Sequence, residues 1–119
     1  MAWEFNGKSP IFKQINDIII SKIIKGDYKS GEKLASVRDL AVEAGVNPNT
    51  MQRALSEIEG TGLLTTLRGD GRYITEDKEL IGKFRQRFIE ESTAEFLGKM
   101  RDLDFSKDEI ISIISKINM

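Results

Sequence analysis

The sequence predicts a mainly α-helical chain with one small β-hairpin, an α+β fold, and three observations carry that prediction. Apolar residues recur at helical spacing along most of the 119 residues. Gly45-Val46-Asn47 is a connection so short that the helices on either side must turn tightly on one another. Two β-prone runs flank Gly69-Asp70-Gly71, whose glycines supply the backbone conformations of a hairpin turn.

Ser9 is expected to cap the first helix, with Pro10 at the first helical position, where a missing N–H costs nothing. Ile11, Ile15, Ile18, Ile19 and Ile23 then form its core face, and Gly26 ends it. After the turn-rich stretch Asp27 to Gly31, Ser36 caps a second helix with Asp39 at its third position. Val37, Leu40, Ala41 and Ala44 share one face of that helix, and Gly45 closes it. Asn47 caps the third helix and Pro48 opens it, with Met51, Ala54, Leu55 and Ile58 as its apolar face. Its other face carries Asn49, Thr50, Gln52, Arg53, Ser56 and Glu57. These residue types hydrogen-bond base edges and phosphates, and they are also those of an ordinary solvated surface.

The runs Leu63 to Leu67 and Arg72 to Thr75 are the strands of the hairpin, and Arg68 and Arg72 bracket its tip. A compact hairpin is expected to present both guanidinium groups beside the third helix. A helix-turn-helix followed by a basic hairpin is a winged helix-turn-helix, a far more specific combination than either part.

From Lys78 a longer helix follows, with Leu80, Ile81, Phe84, Phe88, Phe96, Leu97 and Met100 as its main apolar residues. A break at Asp102 to Phe105 precedes a last helix that starts on the capping box Ser106 and Glu109 and presents Ile110, Ile111, Ile113, Ile114 and Ile117. The expected domains are therefore residues 1–75, winged helix-turn-helix, and 76–119, a two-helix dimerisation region. Two helices this small cannot enclose so much apolar surface alone. The surplus must meet the winged domain, a second copy or a ligand, and a homodimer is favoured, since closed two-fold pairs are the commonest oligomers. Ile81, Phe84, Phe88, Phe96, Met100, Ile110 and Ile114 are the expected seam. The rival is a small-molecule pocket lined by Phe84, Phe88 and Phe96.

Composition removes other functions. The chain has no Cys and no His, so disulfides, thiolate nucleophiles, Ser-His and Cys-His pairs and imidazole general bases are excluded. No catalytic cluster of acid, base and nucleophile is visible, and neither a cofactor nor a metal is expected, Glu90, Glu91 and Glu95 reading as a solvated face. MAWEFNGKSP lacks the apolar core of a signal peptide, and aliphatic runs such as Ile18-Ile19-Ile20 are far below membrane-spanning length, so a cytoplasmic protein without a membrane partner is expected. The net charge of −1 argues against a uniformly basic coat but not against a basic patch on one face. Arg68-Gly69-Asp70 spells an integrin-recognition tripeptide, which here reads as turn chemistry, with Asp70 shaping the turn.

Residues 9 to 75 closely resemble the DNA-binding domain of the GntR family of bacterial transcription regulators. The resemblance runs through Pro10-Ile11-Phe12-Lys13-Gln14-Ile15, Gly26-Asp27-Tyr28-Lys29-Ser30-Gly31-Glu32-Lys33-Leu34 and Ser36-Val37-Arg38-Asp39-Leu40-Ala41. It continues in Gly45-Val46-Asn47-Pro48-Asn49-Thr50, Ala54-Leu55, Glu59-Gly60-Thr61-Gly62-Leu63-Leu64 and Arg68-Gly69-Asp70-Gly71. The short length, Asn47-Pro48-Asn49-Thr50 and Trp3-Glu4-Phe5 are similar to the YtrA subfamily, many of whose members repress transporter operons. Ala35 stands where the family usually has Pro, and Asn49 where other branches often carry Arg.

The resemblance implies a homodimeric repressor on a palindromic double-stranded operator. It implies DNA contacts from Ser36 and Arg38, from Asn47, Asn49, Thr50, Gln52 and Arg53, and from Arg68, Gly69 and Arg72. Arg38 and Arg72 are expected to act mainly on phosphates, and Gly69 and Gly71 would let the wing backbone approach DNA closely. Ser36 and Asn47 are either contacts or caps alone, and Arg53 either reaches DNA or pairs with Glu57 at i+4. A winged helix can also serve as a protein-docking module, which the arginines beside a polar recognition face argue against. Whether an effector binds is open.

Overall fold

The computed structural model describes residues 3–119. Its elements are α1 (Ile11–Lys25), α2 (Val37–Ala44), α3 (Pro48–Thr61), β1 (Leu64–Leu67), β2 (Gly71–Ile74), α4 (Lys78–Asp102) and α5 (Lys107–Lys116). Five helices and a two-stranded antiparallel hairpin make the α+β fold that the sequence predicts.

The caps follow local chemistry. Ser36 Oγ accepts the Asp39 N–H at the start of α2, and Asn47 Oδ1 accepts the Asn49 N–H at the start of α3 with Pro48 behind it. Ser106 and Glu109 exchange the reciprocal bonds of a capping box at α5. The start of α1 differs from expectation by one residue. Pro10, with ψ 143°, is itself the extended cap residue and makes no side-chain cap bond, so Ser9 lies outside the helix. Gln14 secures this entrance instead: its amide donates to the carbonyls of Asn6 and Ser9 and accepts the Asn6 N–H.

The chain forms two compact units, one ending at Phe84 and the other comprising Arg85–Met119. The division falls beyond residue 75, where the sequence places it, because Leu80, Ile81 and Phe84 of α4 pack against the winged core. That core joins Ile15, Ile19 and Ile23 of α1, Leu40 and Ala44 of α2, Met51, Leu55 and Ile58 of α3, and Leu63, Leu64 and Ile74 of the hairpin. Burying each of these Ile, Leu and Met side chains stabilises the fold by roughly 1.5–3 kcal/mol relative to exposure.

In the hairpin Leu64 pairs with Ile74, Thr65 with Tyr73, Thr66 with Arg72 and Leu67 with Gly71. The stretch before α2 adds a third strand-like edge. Gly31 N–H donates to the Ile74 carbonyl, Ile74 N–H to that of Glu32 and Leu34 N–H to that of Arg72. β2 is thereby paired along both edges, which fixes the root of the wing beside the entrance to α2.

Candidate nucleic-acid interface

The polar face of α3 is divided between its neighbours. Arg53 leans toward α1, its guanidinium carbon 3.7 Å from the centre of the Phe12 ring. One turn on, Asn16 Nδ2 donates to Glu57 Oε2 at 2.7 Å, so Glu57 is engaged by α1 while Arg53 lies over Phe12, and the alternative Arg53–Glu57 pairing does not form. Glu59 leans the other way, to the wing, where it accepts from Arg72 Nε and from Thr66 Oγ1. Between them stand the exposed side chains of Asn49, Gln52 and Ser56, with Gln52 Nε2 donating to Ser56 Oγ at 3.2 Å. Thr50 is partly buried at the edge of this strip.

The wing is held at two points. Toward α3, at the Thr66–Arg72 pair, the Thr66 hydroxyl first, and the Arg72 guanidinium after it, hold the Glu59 carboxylate below its ordinary range against the opposing effect of burial. At its tip Asp70 accepts from Tyr73 Oη at 2.5 Å and from Lys33 Nζ at 2.9 Å, and these bonds lower its pKa, the Tyr73 bond contributing most. Gly69 has φ +80° and Gly71 φ +138°, and a Cβ on Gly71 would approach Lys33 Cε to 3.2 Å.

The two arginines expected to bracket the tip thus differ. Arg68 is exposed with no ion-pair partner among the described residues, whereas the Arg72 side chain is only 17% exposed and is committed to Glu59. Arg38 is exposed at the start of α2, also without such a partner. Ser36 and Arg72 line one groove of about 460 Å³ between the α2 entrance and the wing, together with Lys33, Asp70 and Gly71. The capping bonds of Ser36 and Asn47 use acceptor lone pairs, so the hydroxyl hydrogen of one and the amide hydrogens of the other stay available to a further partner.

Sequence reasoning missed Phe12, Asn16, Lys33, Glu59 and Tyr73 as parts of this arrangement. For the first two a signal existed: Phe12 and Asn16 repeat at i, i+4 on α1 as Arg53 and Glu57 do on α3. For Glu59 the signal was weaker, since Thr66 and Arg72 become one partner pair only once the hairpin register is known.

Of the expected seam residues, Ile81 and Phe84 belong to the first unit, where they lie partly buried against the winged core, and Ile110 of the C-terminal unit is 6% exposed. Phe88, Phe96 and Ile114 remain at 43%, 41% and 51% exposure, beside the exposed Ile89, Ile111 and Ile113. Met100 is partly buried. Leu97, Phe105, Ile110, Ile111 and Ile114 line a groove of about 440 Å³ with Arg101 and Lys107. Among the described residues no cluster of acids could hold a metal ion, and no helix is long and apolar enough to cross a membrane.

Residues 12–74 match the family described as bacterial regulatory proteins, gntR family. The HTH-type transcriptional regulator YhcF of Bacillus subtilis is 35% identical over 108 residues, 91% of this chain and 89% of that protein. The HTH-type transcriptional repressor YtrA of the same organism is 45% identical over 69 residues, 58% of this chain and 53% of that protein. A solved GntR family transcriptional regulator from Listeria monocytogenes superposes with a TM-score of 0.90 at 40% identity, covering 96% of this chain and all of that one.

Proposed function

Because the chain belongs to the GntR family of bacterial transcription regulators, we propose that it is a homodimeric repressor that reads a palindromic operator through α3 and the wing. The observation that carries this reading is the exposed strip Asn49, Gln52 and Ser56, flanked by structure on both sides and free of acidic side chains of its own. Asn and Gln amides suit bidentate bonds to adenine in the major groove. Arg38, at the start of α2, and Arg68, at the wing tip, then supply phosphate contacts on either side, with Ser36, Asn47, Thr50, Arg53 and the Gly69 backbone as further contacts. Arg72 acts chiefly by fixing the wing.

Dimerisation is supported by the C-terminal unit, whose Phe88, Phe96 and Ile114 are exposed apolar side chains that a second copy would cover. Residues 1–75 hold ten basic against nine acidic side chains, so the phosphate contribution per protomer is modest and two linked domains supply affinity that one lacks. A transporter operon as the regulated target is what the sequence resemblance to the YtrA subfamily implies. Footprinting on the DNA upstream of the chain's own coding sequence tests the reading. A protected inverted repeat is expected, and no protection there or upstream of the neighbouring genes would refute it.

A further inference from the structure

We propose that Phe12 is a positioning residue for DNA recognition: its ring holds the Arg53 guanidinium at the α1 edge of α3, oriented for a backbone phosphate. The proposal rests on reading α3 as the DNA-contacting helix. A guanidinium carbon 3.7 Å from the ring centre lies on the ring face. All five N–H donors of a guanidinium lie in its own plane, so a partner on the face leaves them available at the rim. Arg53 is exposed and no acid shares it among the described residues, while Glu57, its natural i+4 partner, is drawn away by Asn16. A free arginine side chain samples many rotamers, and part of that entropy must be lost when it grips a phosphate. The stack removes some of that freedom before DNA arrives. It also fixes Arg53 beside the base-reading strip rather than in it, which assigns the residue to the backbone.

The test uses a duplex selected by the wild-type chain from a random-sequence pool. Phe12→Leu should weaken binding roughly two- to fivefold, the range of an exposed cation–π contact. Phe12→Tyr, which keeps the ring, should bind as the wild type does. In an Arg53→Ala background Phe12→Leu should have no further effect, which separates positioning from a general loss of stability. Independently of DNA, the Arg53 side-chain protons should resonate upfield in the wild type and in Phe12→Tyr, and return to ordinary positions in Phe12→Leu. Unchanged or tighter binding by Phe12→Leu, an undiminished loss in the Arg53→Ala background, or absence of the upfield shift would overturn the role. A wild-type chain that selects no duplex overturns the reading of α3 itself, whereas a selected duplex indifferent to Phe12→Leu overturns the role alone.

Discussion

Arg72 of β2 donates its Nε–H to the Glu59 carboxylate of α3, and this pair, with side chains 17% and 29% exposed, ties the wing to α3. Partial burial makes it worth more than a surface ion pair, because losing either partner leaves the other half-desolvated. Arg72→Ala and Glu59→Ala should each lower stability by about 1–2 kcal/mol. A double-mutant cycle by denaturant unfolding should show coupling between them, and strictly additive losses would contradict the tie.

The acid limb of stability follows from the carboxylates. Glu59, Asp70 and Glu109 are all held below their ordinary values, by Thr66 and Arg72, by Tyr73 and Lys33, and by Ser106 respectively. A lowered folded pKa contributes stability that is present above the unfolded value and lost as pH falls through the folded one. Stability should therefore hold near neutrality and decline below about pH 4. Glu59→Gln should make that decline shallower, and a pH series of unfolding curves with an unchanged slope would remove Glu59 from the cause.

Arg38 and Arg68 are both exposed and have no ion-pair partner among the described residues. Arg38→Ala and Arg68→Ala should each weaken operator binding and reduce the steepness of its salt dependence by about one unit. Arg72→Ala should weaken binding with a smaller change in slope, since its charge is already answered by Glu59. Titrations over several salt concentrations decide this, and equal slopes for all three variants would contradict the distinction.

Phe88 is 43% exposed on a helix with no buried residue. Phe88→Glu should convert a dimer to a monomer in sedimentation and weaken operator binding in parallel, since a charge would enter an apolar seam. An unchanged dimer would place the seam elsewhere.

Much of the fold was legible because its determinants are local. Ser36, Asn47 with Pro48, and Ser106 with Glu109 each announce a helix start within four residues, and Ile15, Ile19 and Ile23 announce a buried face. What was not legible depends on register between distant segments. Arg72 reads as a free wing arginine until Thr66 is opposite it and Glu59 beside both. Lys33 and Asp70 stand 37 residues apart and meet only because the segment before α2 pairs with β2. The reach of the winged core into α4 was hidden for a related reason: Ile81 and Phe84 share a helix with Phe88, and periodicity alone does not say where along it the core ends.

Selection of duplexes by the full chain from a random-sequence pool examines DNA recognition and pairing together. Enrichment of two inverted half-sites, with centres about one helical turn of 10–10.5 base pairs or a multiple apart, is expected of a dimer carrying two recognition helices. A pool that stays unenriched while binding weakens with salt like any nonspecific polycation contact would contradict it.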